Sequence, residues 1–494
     1  MDLARLFIIE CCRFAFHNSV GDNGAVDSLE WACVVSLDGR AVHWGIYCQK
    51  DGAAMTLPSL SSLMAEPPDN SSFVAWRRGN GITYQQFLSD VGGVAKAYSS
   101  CRAAAVVCQD SYNLIVGFYG LLYAGARIVL PPRNQPAVIE SLQENFDVLI
   151  DDGMIELASG GAFSFSLQPL DPTLRVIDFC TSGTTGLPKL VTKSLEMFDG
   201  ELAIIDQILR KEQHGGKVLA TVPHQHVYGF TFKILWALAT GRAFATETYA
   251  LWESLLPELT ADSIIVSSPA HLDRLGGLEP LSPDQQAQLI LSAGAPLSLE
   301  ASLAAQSIFG IRPIEIFGST ETGAIATRSL RSGEEPWSLL PSLSMRCDND
   351  GRMSIYIPFI SQDWIETSDL IEPMDGHFHH LGRADRIAKI EGKRIGLLNI
   401  EEALQQLSFV KKAAVVVMND PICIAAAVVL SDEGQAALEE VGNFRLGRQL
   451  RKDIRQAIDP EGLPRLWRFI DAFPNQSMGK RRDADIMALF CEDS

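Results

Sequence analysis

Short apolar runs alternate with helix-length stretches between Ala103 and Asp151: AAAVVCQ (103–109), SYNLIVGFYGLLYAG (111–125), ARIVLPP (126–132) and FDVLID (146–151). Runs of that length around a helix describe βαβ units, whose strands pair in parallel. The rhythm returns at KVLATVP (217–223), DSIIVSSP (262–269) and QLILSAG (288–294), so one large α/β body is expected over residues 55–382. Residues 383–494 carry a pattern of their own. Helices are expected near NIEEALQQL (399–407) and RLGRQLRKDIRQAI (445–458), with strands at AAVVVM (413–418) and CIAAAVVL (423–430). The expected fold class is therefore α/β, a large N-terminal body with mixed and parallel sheets followed by a small α+β C-terminal domain. Residues 1–54 hold four of the ten cysteines and show no sustained period, and read as an atypical N-terminal extension.

A chain of 494 residues is long enough for several domains, and 47% hydrophobic against 20% charged residues can fill sizeable cores. The formal charge of −19 argues against a nucleic-acid partner, which needs a concentrated positive surface. From Arg383 onward 17 basic residues balance 17 acidic ones, so the whole acidic excess lies in residues 1–382. No window approaches the 18 apolar residues of a membrane span, and no cleavage site follows the opening apolar run. A cytoplasmic location is expected, with the cysteines reduced rather than paired.

The most specific chemistry lies in DFCTSGTTGLPKLVTKS (178–194). An apolar strand runs into a loop with two glycines, four hydroxyls and a lysine, which is what a phosphate cradle requires: exposed N–H groups, O–H donors and a cation. The spacing is not that of GxxxxGK[ST]. The order Thr181, Ser182, Gly183, Thr184, Thr185, Gly186, Lys189 resembles the phosphate loop of the adenylate-forming superfamily of acyl-CoA synthetases, luciferases and adenylation domains. IEIFGSTETG (314–323) resembles that superfamily's Tyr-Gly-x-Thr-Glu motif with Phe317 in place of Tyr. The resemblance implies that Phe317 and Gly318 adjoin adenine, that Thr320 donates to the α-phosphate and that Glu321 binds Mg²⁺, a hard cation taking oxygen ligands. In TSDLIEPMDGHFHHLGRADRIAKIEGKRIGLLNIEEAL (367–404) it implies a ribose-binding Asp369, in TSD where TGD is usual. Arg383 follows as a second nucleotide contact, Asp385 as a hinge, Gly392 beside the thiol tunnel and Arg394 as a phosphate contact. FPNQSMGKRRDADI (473–486) resembles the segment with the catalytic lysine, here Lys480. VPHQHVYGF (222–230) resembles the Pro-x-x-His-x-x-Gly element, with His226 as a gate and Tyr228 and Phe230 lining the acyl pocket; SAGAPL (292–297) resembles the adenine-side loop, with Gly294, Ala295 and Pro296.

The resemblance covers about residues 60–490 and implies an AMP-forming acid–thiol ligase with a mobile C-terminal lid. ATP and Mg²⁺ are its expected cofactors, and CoA or the phosphopantetheine of acyl carrier protein its acceptor. The element HVYGF lacks the aspartate that would pair with the ammonium of an α-amino acid. PKLVTKSLEMFDGEL, GSTETGAIATR and LPRLWRFIDAFPNQSMGKRRDADIMALF resemble stand-alone acyl-ACP ligases of bacterial aryl-polyene-type pathways, implying an aryl or 3-hydroxyacyl/fatty acid substrate and acyl carrier protein as partner. The basic run Arg445, Arg448, Arg451, Lys452, Arg455 offers a docking face for an acidic carrier or for the phosphates of CoA. An acyl-CoA synthetase using free CoA is the alternative enzyme, and a non-catalytic nucleotide or acyl-adenylate binding protein the alternative of another class.

Overall fold

The computed structural model describes residues 30–35, 42–47, 57–67, 69–132, 134–159, 167–174, 177–182, 188–209, 216–390, 393–419, 422–474 and 483–491. Met1–Met55 and Thr56–Ser494 form separate units. In the first, strands Glu30–Val35 and Val42–Tyr47 pair as an antiparallel hairpin. This corrects the expectation of a segment without strand pattern. Two six-residue runs are too short to establish a period, yet they carry enough branched and aromatic residues to pair.

In the second unit the alternating segments form two sheets. Val148–Ile150, Ala103–Val106, Arg127–Leu130 and Ile177–Ser182 lie in parallel, and Pro188–Lys193 closes that sheet antiparallel. The larger sheet has a parallel centre in the order Phe73–Arg77, Ala243–Ala245, Lys217–Ala220, Ile264–Ser267, Leu289–Ala293, Ile314–Ser319. It continues antiparallel through Gly323–Arg328, Trp337–Leu339, His377–Arg383 and Ile365–Met374. One cluster packs helices Tyr84–Ala97, Ser111–Ala124 and Leu195–Leu209 against strands of both sheets, among them Ala104, Ile128, Val218, Ile264 and Ile316.

Local chemistry fixes the element ends. Helix Ser111–Ala124 begins where the Asp110 side chain accepts from the Tyr112 and Asn113 amides, and stops at Gly125 with φ 76°. Ser368, in place of the usual glycine, lies inside strand Ile365–Met374 and is absent from the residues with positive φ, so a side chain there meets no backbone penalty.

From Ile387 onward the chain has its own cores. Strands Val410–Asn419, Ile422–Leu430 and Leu466–Phe469 form a three-stranded sheet against helix Leu397–Gln405, while Ile387–Ile390 pairs with Lys393–Gly396. The helix expected from residue 445 starts at Asp432, ends at Asp453 and is broken at Gly442 (φ 77°). Its acidic first part carries Asp432, Glu433, Glu439 and Glu440 with Ala437, Leu438 and Val441 only partly buried against the core, and the fully buried apolar positions Leu446 and Leu450 come after the break.

Candidate active site

Three pieces of backbone converge. The first is the hairpin Ile177–Ser182 with Pro188–Lys193, paired Thr181↔Lys189 and Ser182↔Pro188. Gly183, Thr184, Thr185 and Gly186 lie outside the described residues, and Thr181 and Ser182 are placed by their strand alone. Below this tip, buried Asp178 accepts from Thr192 Oγ1 at 2.6 Å and pairs with Arg127 Nε. The strands are thus clamped close to where the loop begins.

The second piece is the turn from strand Ile314–Ser319 into strand Gly323–Arg328, with a register shift between Phe317 and Gly318. The Ser319 amide donates to Thr322 Oγ1 and the Thr322 amide donates back to Ser319 Oγ, both at 3.1 Å. A Cβ on Gly318 would stand 2.0 Å from the Gly323 carbonyl, so this crossing tolerates no side chain. Thr320 and Glu321 form the half-buried tip. Glu321 Oε1 lies 3.3 Å from Lys189 Nζ. Burial pushes the Glu321 carboxyl up, but a backbone N–H and Lys189 outweigh it and hold the group below the usual range, as a carboxylate.

The third piece is the antiparallel pair Ile365–Met374 and His377–Arg383, which sets Asp369 opposite Arg383. Asp369 Oδ1 stands 3.1 Å from His380 Nε2. The His380 ring lies 5.0 Å from that of Phe317, which also packs against Trp337 at 5.2 Å and Phe378 at 5.6 Å. His380 therefore links the residue expected at adenine to the carboxylate expected at ribose. Nothing in its sequence context distinguishes it from His377 or His379.

Gly294 (φ 99°), Ala295 and Pro296 leave strand Leu289–Ala293 beside this turn. The Leu297 amide donates to Glu315 Oε1 at 2.9 Å, and Arg328 binds the same carboxylate through Nε and Nη2 at 2.8 and 3.0 Å. The loop is thereby fastened to the strand that carries Phe317. Sequence reading passed over Glu315 and Arg328 because alternation marks them only as strand residues.

His226 caps the short helix Val227–Gly229 in extended conformation. Tyr228 is nearly buried and its hydroxyl has no partner among the described residues, whereas Phe230 is fully buried against Phe118, Phe179 and Phe198. The preceding turn is held by His224, whose Nδ1 accepts from Ser111 Oγ at 2.7 Å and whose Nε2 donates to the Cys108 carbonyl at 2.9 Å. Burial, followed by Lys233, pushes the His224 pKa down to about 3, so it is neutral. Lys480 and Gly392 lie outside the described residues, and Asp385 and Arg394 are located by backbone alone.

The sequence pattern of AMP-binding enzymes matches residues 164–349, and that of their C-terminal domain residues 399–480. The chain belongs to the AMP-binding enzyme family. Within it, this AMP-binding enzyme is 26% identical over 306 residues to 4-coumarate–CoA ligase of Cereibacter sphaeroides, covering 62% of this chain and 70% of that one. It is 23% identical over 483 residues to D-alanine–D-alanyl carrier protein ligase of Staphylococcus aureus, covering 85% and 97%. Its fold superimposes on O-succinylbenzoate coenzyme A synthetase from Bacillus subtilis in complex with AMP with a TM-score of 0.72 at 17% identity, over 86% of this chain and 97% of that one. It is an adenylate-forming ligase, an AMP-forming acid–thiol ligase.

Mg²⁺, implied by the family, fits the residues present. Among the described residues no group of three or more His, Cys, Asp and Glu side chains gathers. A single ionised, half-buried Glu321 suits a cation that takes its other ligands from phosphate and water. At Gly323 (φ 66°) a Cβ would come within 2.5 Å of Glu201 Oε2. Gly323→Ala is therefore expected to displace the Glu321 turn and to lower adenylation in pyrophosphate exchange at least about tenfold, since ångström misplacements at a reacting centre cost that much or more. Exchange at the wild-type rate would show that the turn tolerates the displacement.

Proposed function

We propose that this enzyme activates a carboxylic acid with ATP and passes the acyl group to a phosphopantetheine thiol of acyl carrier protein, and that the acid is an aryl or 3-hydroxyacyl/fatty acid. The observation that carries the reading is the approach of Lys189 to Glu321, a cation and a carboxylate from the two motifs expected around the phosphates. Substrate carboxylate oxygen attacks the α-phosphorus, the bond to the bridging oxygen of the β-phosphate breaks, and pyrophosphate leaves with that electron pair. Lys189, Lys480 and the Thr181–Gly186 loop take up the charge that develops, and Thr320 donates to the α-phosphate. Glu321 would hold Mg²⁺, which would supply charge neutralisation at the phosphates. Gly294, Ala295, Pro296, Phe317 and Gly318 hold adenine, Asp369 accepts from the ribose hydroxyls, and Arg383 and Arg394 complete the nucleotide contacts. His226, Tyr228 and Phe230 border the acyl group. The small domain then turns about Asp385, the thiol enters past Gly392 as the thiolate, and its sulfur replaces AMP on the acyl carbon.

Carboxylate-dependent ATP–pyrophosphate exchange without any thiol tests the first half. Exchange with hydroxybenzoates, cinnamates, fatty or 3-hydroxy acids is expected, and nucleotide binding without exchange would overturn the reading. The acceptor rests on the basic run. Phe444 is 75% exposed there, with the Arg448 guanidinium 5.8 Å from its ring centre, and Arg445, Lys452 and Arg455 are exposed beside it. An aromatic anchor among arginines suits an acidic protein surface. Reversing Arg448 and Arg451 to Glu is expected to reduce kcat/KM for carrier protein about tenfold or more while pyrophosphate exchange persists. Equal loss of both steps, or faster transfer to free CoA than to carrier protein, would rule the docking face out.

A further inference from the structure

A fully buried lysine lies under the segment that carries His226, and the reaction above does not use it. Lys233 stands in Phe230–Leu235, where the helix begun at Val227 widens into a single π-helical turn, and it is 0% exposed. Its three ammonium hydrogens meet three acceptors: Ser111 Oγ at 2.6 Å, the Glu247 carbonyl at 2.7 Å and Thr248 Oγ1 at 3.3 Å. Burial pulls its pKa down to about 7, while Asp110 and Glu247 pull it up; even the neutral amine keeps two N–H groups, enough for the two short bonds. Ser111 opens helix Ser111–Ala124, and its amide donates to the Thr246 carbonyl at 3.0 Å. Its hydroxyl accepts from Lys233 and donates to His224 Nδ1 at 2.7 Å, which leaves His224 Nε2 to donate to the Cys108 carbonyl. Gln225 Nε2 donates to the same carbonyl at 3.1 Å.

One hydroxyl thus holds both ends of the segment, through His224 just before His226 and through Lys233 just after Phe230. Between these ends the Phe230 amide donates to the His226 carbonyl at 2.9 Å. A Cβ on Gly229 would stand 2.3 Å from the Pro223 carbonyl oxygen, so the start of the helix rests directly on its own preceding turn. The segment cannot slide or rotate without breaking a bond to Ser111. An apolar chain of similar length would fill the site of Lys233 without taking an amine out of water, so what the lysine adds is direction rather than packing. We infer that Lys233 is a positioning residue for acid recognition, which through Ser111 and His224 holds His226, Tyr228 and Phe230 in place against the acyl group. This rests on the reading of those three residues as the border of the acyl pocket.

The test is pyrophosphate exchange by the full chain with the best-accepted acid among hydroxybenzoates, cinnamates, fatty and 3-hydroxy acids, read as separate KM values for acid and for ATP. Lys233→Met and Ser111→Ala are each expected to raise KM for the acid about tenfold or more and to leave KM for ATP within about twofold, because the displacement falls on the acyl side alone. The double variant is expected to be no worse than the more severe single one, since residues acting through one chain of bonds do not add. Ser111→Ala removes one buried hydroxyl and no charge, and serves where Lys233→Met fails to fold. Parallel rises in both KM values, an unchanged KM for the acid, or effects that multiply in the double variant would overturn the inference. His226→Ala separates it from the reading beneath: an unchanged KM for the acid in that variant would show that the segment does not border the acyl group. No exchange with any acid would instead overturn acid activation, and the inference with it.

Discussion

Pyrophosphate exchange is expected to fall about 10²- to 10³-fold when Lys480 is replaced by alanine, with nucleotide binding by calorimetry largely retained. The reaction moves negative charge onto the α-phosphate and the departing pyrophosphate. An ammonium placed there stabilises the transition state more than bound ATP, so its loss shows in kcat rather than in binding. The chain just beyond Lys480 is well anchored. Asp483 Oδ1 accepts from Arg386 Nη1 at 3.2 Å, and Arg386 Nη2 also donates to the nearly buried Glu401 at 2.7 Å and to the Val415 carbonyl at 3.1 Å. Ile486 is buried in the small-domain core with Ala414, Val416 and Phe473. A lysine three residues before such an anchor can be delivered to one place repeatedly. Unchanged exchange in Lys480→Ala would remove it from the transition state.

The largest loss of stability is expected at Glu315. Its carboxylate, 1% exposed, receives two N–H groups from Arg328 and the amide of Leu297. Alanine would leave the guanidinium, whose side chain is 15% exposed, without its partner, and the Leu297 amide unsatisfied in the core. Removing one member of a buried ion pair costs about 3–5 kcal/mol, chiefly because the other charge stays behind. Arg328 also lies 4.3 Å from the Trp337 ring centre, and Trp337 packs on Phe317, so the damage should reach the nucleotide side as a raised KM for ATP. Urea unfolding followed by intrinsic fluorescence measures the first effect and exchange kinetics the second. A loss below about 1 kcal/mol would show that the pair contributes no net stability.

The sequence by itself determined the α/β class, the parallel strands between Ala103 and Ala293 that carry apolar runs, the helices Ser111–Ala124 and Leu397–Gln405, and the strings that carry the chemistry. Strand and helix periods are local, and a phosphate cradle or a Thr-Glu turn is written in consecutive residues. Only the tertiary structure decided that the alternating segments divide between two sheets, since strand partners are chosen by packing of residues far apart in the chain. It alone set Lys189 against Glu321, 132 positions away, and His380 against Asp369. It also buried Glu315 with Arg328. Both residues lie in an ordinary strand pattern, and a single charged side chain leaves no periodic trace. What gives it a role is the absence of water around it and the identity of its one neighbour, and both exist only once the chain has folded.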